Sequence, residues 1–231
     1  MATVILVRHG RTTANTSGLL AGRTRGVALD DLGREQASAA GKRLRDVPLA
    51  ALVTSPLERC RQTAKAIAAA QSPQPSTVID RALNECDYGD WAGQPLKSLV
   101  KEKLWRVVQD HPSAAVFPGG ESMRAMQDRA VTAVRMRDAE LPPEATWAAV
   151  SHGDVIKSIL ADALGMHLDL FQRLHVDPAS ISIVSYHDSR PRVLAINSTA
   201  GDLGWLRPPK RKRRRTSDAA VGGGAGPGNA D

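Results

Sequence analysis

Cysteine is nearly absent from this sequence. Cys60 and Cys86 are the only two, too few for a disulfide framework or a Cys-rich zinc module. That scarcity makes a reducing, cytoplasmic location the expectation. Aromatic residues are only 3% of the 231, which argues against the base-stacking surface of a single-strand-binding protein. No apolar run reaches the ~18 residues of a membrane span, so no membrane partner is expected. The opening stretch, Met1 to Gly10, lacks the basic start, long apolar segment and small-residue cleavage site of a secretion signal. There is no internal repeat. The chain is nevertheless 42% hydrophobic, which excludes full disorder. Its length suits one sizeable domain with a tail, or at most two small domains.

The net charge of +7 is unevenly placed. From Arg207 onward there are seven basic and two acidic residues, whereas residues 1–206 hold 24 basic and 22 acidic ones. The body is nearly neutral, and the basicity belongs to the run Lys210–Arg215 beside a Gly/Ala-rich end. That composition predicts a disordered tail, 207–231, attached to a domain, 1–206. The tail is expected to attract nucleic acid only weakly and in a salt-dependent way.

Within the body, short apolar runs alternate with helical periodicity. Strands are predicted at Thr3–Val7, Ala51–Thr54, Thr77–Ile79, Thr146–Val150, Ser180–Tyr186 and Arg192–Ile196. Helices are predicted from an Asp30 or Asp31 cap to about Arg45, from Pro56 to about Ala70, over Leu96–Gln109, Glu121–Glu140 and Asp154–Leu164. The first four strands alternate with helices, and the last two form a hairpin. The pattern predicts an α/β fold with a largely parallel central sheet and helices on both faces.

The residues just past each strand carry the chemistry. The first strand ends in Arg8-His9-Gly10. The second ends in Ser55-Pro56, with Arg59 on the next turn. The third leads to Glu85, and the fourth ends in His152-Gly153. Open α/β sheets bind ligands outside the carboxyl ends of their strands, so two histidines, two arginines and a glutamate converge on one edge. Arginines match phosphate oxygens, a neutral imidazole is a competent nucleophile, and a carboxylic acid can protonate a leaving oxygen. Glu85 is the candidate acid, with Asp87 as the fallback. The arginines take the charge role that a metal ion plays elsewhere, so neither metal nor other cofactor is expected.

These residues sit in longer blocks. Leu6-Val7-Arg8-His9-Gly10-Arg11-Thr12 with Asn15, Leu29–Ala37, Ser55–Ala64, Leu83–Gly93, Pro118–Ser122 and Val150–Gly153 together resemble, in order, the signature of the histidine phosphatase superfamily, also called phosphoglycerate mutase-like. The resemblance spans residues 3 to about 165. It implies a three-layer α/β/α sandwich around about six mostly parallel strands. It also implies that His9 becomes phosphorylated, that Arg8, Arg59 and His152 bind the phosphoryl group with Asn15 assisting, and that Glu85 is the general acid. Arg23 and Tyr88 lie where the family often places substrate contacts.

The mutase branch of that family carries an adjacent arginine pair after the acid, to hold a substrate carboxylate. Residues 95–118 hold Lys97, Lys101, Lys103 and Arg106, but no such pair. This favours a phosphatase acting on a small phosphorylated metabolite. The chain also resembles an actinobacterial-looking subgroup often named as phosphomutases without a known substrate. A phosphomutase is therefore the first alternative, and a non-catalytic scaffold with a nucleic-acid-binding tail the second. Dimers are frequent among such relatives, so a homodimer is a further expectation. Cys60 and Cys86 each come directly after a candidate site residue, but the reading for both is a small buried apolar side chain.

Overall fold

The order of elements follows from where the chain is continuously apolar. Thr3–Arg8 (β1) and Thr146–Ser151 (β4) are buried over most or all of their length, as expected of strands covered on both faces. They pair in parallel, with Thr3 opposite Thr146 and Arg8 opposite Ser151. Leu49–Thr54 (β2) lies parallel on the far side of β4, and the short Thr77–Ile79 (β3) is the edge beyond it. Ile181–His187 (β5) runs antiparallel to β1, and Arg190–Ser198 (β6) antiparallel to β5. The order is β3-β2-β4-β1-β5-β6, so β5 alone runs against the rest. The computed structural model describes residues 2–187 and 190–206. The basic tail that the sequence sets apart lies outside the described residues.

Seven α-helices are described: Thr13–Thr16 (α1), Asp31–Leu44 (α2), Glu58–Ala69 (α3), Leu96–Leu99 (α4), Lys103–Asp110 (α5), Met123–Glu140 (α6) and Gly153–Ala163 (α7). Side chains of one strand point alternately to its two faces. Ile5 and Val7 of β1 pack with α2 and α3 through Ala40, Leu44, Ala64 and Ile67. Val4 and Leu6 pack on the other face with α6 and α7 through Met126, Val134, Ile156 and Ile159. This is the expected three-layer α/β/α sandwich. No helix among the described residues is long and apolar enough to cross a membrane.

Among the predicted boundaries that shift, three do so for a visible reason. The helix predicted over Leu96–Gln109 is broken into α4 and α5, with Glu102 extended at the restart. Leu99 and Val108 are both buried, but about 100° per residue would put them on opposite sides of one straight helix. The break turns both inward. Helix α3 starts at Glu58 rather than Pro56, after an extended Leu57, and the Leu57 N–H points to Ser55 Oγ at 3.4 Å. Glu121 stands outside α6, because Ser122 caps that helix by accepting from the Ala125 N–H.

The turn after β1 is fixed by two glycines that touch. A Cβ on Gly10 would lie 2.3 Å from the Gly33 carbonyl oxygen, and one on Gly33 would lie 1.9 Å from that of Arg11. Backbone on both sides leaves no flexible group to move aside. Gly33→Ala is therefore expected to cost about 3 kcal/mol, and a thermal melt should show a midpoint roughly 6–12 °C lower. An unchanged melt would refute this close contact.

Candidate active site

Parallel pairing of β1 with β4 sets the site. His9 and His152 each come one residue after those strands, and their ring centroids are 5.2 Å apart. The chain leaves β1 toward the α2–α3 face and β4 toward the α7 face, which opens a crevice between the two strand ends. Strand β2 ends beside them, so Ser55 Oγ sits 2.8 Å from His152 Nε2. Arg59, the second residue of α3, is buried at 2% exposure.

Hydrogen bonds define the state of each imidazole. The Gly10 carbonyl can only accept, so the 2.7 Å contact puts the proton on His9 Nδ1 and leaves the lone pair on Nε2. Arg59 can only donate, and its Nε lies 3.2 Å from that same Nε2. Arg59 Nη2 likewise faces His152 Nδ1 at 3.2 Å, so His152 carries its proton on Nε2 and donates to Ser55. Burial, reinforced by Arg59 and Arg8, holds His9 well below the usual histidine value. Burial, Arg59 and His9 do the same to His152. Both rings are neutral at neutral pH.

Two guanidiniums here have spare donors. Arg8 Nη1 donates to the Val176 carbonyl at 2.7 Å and Arg59 Nη2 to that of Gly22 at 2.8 Å. Arg8 Nε and Arg59 Nη1 are buried without a partner. Buried polar groups are almost always satisfied, and two unsatisfied N–H groups on cations whose field reaches His9 fit an oxyanion.

Glu85 faces the same space. Its Oε1 accepts from the Cys86 N–H at 3.0 Å, and its Oε2 is 3.8 Å from His152 Nδ1. Burial, and then the Asp154 carboxylate, push it up to about 7 against the pull of Arg59. Near neutrality it can therefore give a proton as well as take one. Asp87, the fallback acid, is paired with Arg23 at 3.0 Å.

Asn15 is exposed, and its Oδ1 accepts from the Thr12 backbone N–H and hydroxyl at 3.0 and 2.9 Å. That end completes a helix cap, so only the amide end is left for a ligand. Arg23 and Tyr88, for which the resemblance implies substrate contacts, also have partners within the fold. Arg23 donates to the Glu85 carbonyl, Asp87 and Glu121 at 2.9, 3.0 and 2.9 Å, which makes it a strut under the acid's loop. Tyr88 is 5% exposed, stacks edge-on against Phe117 and donates to Asp154 at 2.8 Å. Cys60 and Cys86 are free and buried. Burial pushes the Cys60 thiol up to about 12 and raises Cys86 also, so neither is a ready thiolate.

Sequence reasoning missed Arg129. From α6 it donates to the carbonyls of Ala82, Asn84 and Glu85 and, in a fork, to both oxygens of Glu121. Burial pushes Glu121 up, but Arg129, the Asp87 N–H and Arg23 outweigh it and hold the carboxylate below its usual range. The sequence signal was faint: an arginine on a helix with charges around much of its circumference.

The fold and the site define a class of α/β phosphoryl-handling enzymes built on a histidine pair. The family model described as Histidine phosphatase superfamily (branch 1) matches residues 4–199. A protein of Erwinia tasmaniensis named "Probable phosphoglycerate mutase GpmB" is 34% identical over 215 residues, covering 89% of this chain and 95% of the relative. The alpha-ribazole phosphatase of Shigella flexneri superposes with a TM-score of 0.76 at 28% identity, covering 86% of this chain and 97% of that one. A mycobacterial glucosyl-3-phosphoglycerate phosphatase, solved with VO3, gives 0.77 at 26% identity, covering 85% and 98%. The chain belongs to the histidine phosphatase superfamily, branch 1.

If Arg129 holds the acid's loop, Arg129→Gln should cost about 3 kcal/mol in urea unfolding, because several buried carbonyls lose a partner. Arg129→Lys should recover little, since one ammonium cannot reproduce the fork. Full stability in the lysine variant would contradict the fork's importance.

Proposed function

We propose that this protein is a phosphomonoesterase that works through a phosphohistidine at His9 on a small phosphorylated metabolite, without a metal ion. The observation that carries the reading is the His9 tautomer. Nδ1–H is held on the Gly10 carbonyl at 2.7 Å, so the lone pair is on Nε2, where it accepts from Arg59 Nε at 3.2 Å, and Arg8 Nε and Arg59 Nη1 are buried nearby without a partner.

The substrate's phosphoryl oxygens take the unpaired Arg8 Nε and Arg59 Nη1 hydrogens, and Arg59 turns its Nε away from the nucleophile. An arriving dianion favours the protonated form of His152, adding a third donor. Nε2 of His9 forms the N–P bond as the P–O bond to the leaving group breaks. The proton of Glu85 goes to the leaving oxygen, and the Gly10 carbonyl steadies the positive phosphoimidazole. In the second half, Glu85 as carboxylate takes a proton from water, the water oxygen bonds to phosphorus and the N–P bond breaks. The preset donors around the equatorial oxygens supply electrostatic stabilisation in both halves.

Hydrolysis rather than transfer back to the substrate is supported by the lack of an arginine pair in residues 95–118 and by solved relatives named as phosphatases. The curated relative's mutase name supplies the competing reading. The two free, buried thiols suit a reducing, cytoplasmic setting.

Phosphate release should be measured over a panel of phosphomonoesters, including 3-phosphoglycerate and sugar phosphates, with chelator present. Wild type should release phosphate and His9→Ala should not. The trapped intermediate should be stable in base and labile in acid. A labelled serine or aspartate, or retained turnover in folded His9→Ala, would overturn the mechanism. Isomerisation outrunning release would make it a mutase.

The pH dependence has a definite sign. The first half-reaction needs Glu85 protonated, so kcat/KM for alkyl phosphates should fall as pH rises through about 7. It needs His9 neutral, and that pKa is depressed, so the acid limb should lie well below pH 6.5, roughly the free-histidine value. Glu85→Gln should lower kcat/KM for alkyl phosphates ~10²–10⁴-fold and far less for p-nitrophenyl phosphate, whose leaving group needs no proton. Equal losses on both substrates would remove Glu85 from the acid role.

A further inference from the structure

Beside the catalytic pocket lies a separate groove of about 890 Å³ that the mechanism does not use. One wall is the loop Arg23–Gly26 and the other is one face of α3, with the ends of β2 and β3 beneath. Glu58, Arg61, Gln62 and Lys65 share that helix face by their spacing. Gln62 is spent within the fold. Its Oε1 accepts from the Leu29 N–H at 2.8 Å and its Nε2 donates to Glu58 at 3.2 Å.

The charges do not balance. Arg23 is paired with Asp87 and Glu121. Arg25, Arg61 and Lys65 line the groove, are exposed, and have no ion pair among the described residues. Glu58 is the one acidic residue lining it, and Gln62 holds it. Arg61 and Lys65 also stand four residues apart on one helix, a like-charge spacing that destabilises a helix and that a bound anion would relieve.

The groove is partitioned from the chemistry. Its lining includes none of His9, Arg8 or His152. The Gly22 carbonyl is pinned to Arg59 at 2.8 Å and Arg23 Nε to the Glu85 carbonyl at 2.9 Å. These two bonds tie the groove's Arg23 wall to Arg59 and to the loop of Glu85. The three unpaired cations are not among the residues that the proposed reaction uses.

We propose that this groove is a second, non-catalytic anion site, for a ligand carrying two or more phosphate or carboxylate groups held by Arg25, Arg61 and Lys65. One phosphate would fill little of the space and reach few of the three cations. The proposal does not rest on the assigned reaction, because the site is counted by binding.

The test is calorimetric titration of inorganic pyrophosphate into the full chain at low salt, for wild type and for Arg61→Gln/Lys65→Gln. The double variant should show one site fewer than wild type, or that site weakened at least tenfold. Its turnover of p-nitrophenyl phosphate should be unchanged. Arg25→Gln alone should weaken the same site, and added salt should weaken it further. The proposal is overturned if wild type binds no pyrophosphate or if site number and affinity are the same in all three proteins. It is also overturned if sedimentation shows a dimer whose interface excludes pyrophosphate from this face.

Discussion

A permanently charged guanidinium sits in the interior of this protein, and the site is arranged around it. Arg59 is buried at 2% exposure, a state tolerated only where partners or ligands compensate the lost hydration. It reaches both histidines and the Gly22 carbonyl. Burial first, and then its field, keep His9 and His152 neutral, and it draws Glu85 down while burial and Asp154 push that group up. Burial together with this cation thus leaves the proposed nucleophile neutral, while burial and Asp154 keep the proposed acid protonated up to about 7 against the cation's pull. The same cation has a donor left over for the group being transferred.

The acid's position depends on a second, less visible arrangement. Glu85 sits in a stretch with no long helix or strand of its own, between short 3₁₀ turns. That stretch is held by Arg129 from α6 and Arg23 from the loop after α1, and both arginines meet on Glu121 Oε1, with the Asp87 N–H as a third donor. A carboxylate accepting three such bonds is strongly held. Irregular backbone is made rigid here by side chains from elsewhere in the chain, which is what a precisely placed proton donor on a loop requires.

The fold was legible where the physics is local. Buried central strands read as apolar runs, so β1 and β4 stood out, and the residues closing them came with them. The start of α2 was readable to within one residue, as an Asp30 or Asp31 cap, because a cap acts on adjacent residues; Asp30 fills it. What was not legible depends on where helices end up. The break between α4 and α5 comes from Leu99 and Val108 needing the same side, a demand of the packed domain. The partners that Arg23 and Tyr88 find within the fold were not legible either, since an arginine and a tyrosine look the same in sequence whether they touch a ligand or a carboxylate of the chain. The pairing of Arg129 with Glu121 was not legible, since charged residues on a helix and just before it usually belong to solvent.

The reversed direction of β5 also governs when the site can exist. Because β5 runs against its neighbours, it starts at the edge where β1 stops. The segment leading into it therefore passes over Arg8, giving the Val176 carbonyl to that side chain and the Ala179 N–H to the backbone of Arg8 and His9. Strand β1 meanwhile lies between partners from far along the chain, with Thr3 opposite Thr146 on one side and Ser185 on the other. Such distant pairings are slow to form. On the ribosome, the Arg8-His9 segment would wait through most of the domain's synthesis before anything fixed it. A chain stopped short of β5 would carry the whole early motif and still lack a place to hold phosphate, with an unpaired apolar strand that a chaperone or another nascent chain would be first to meet.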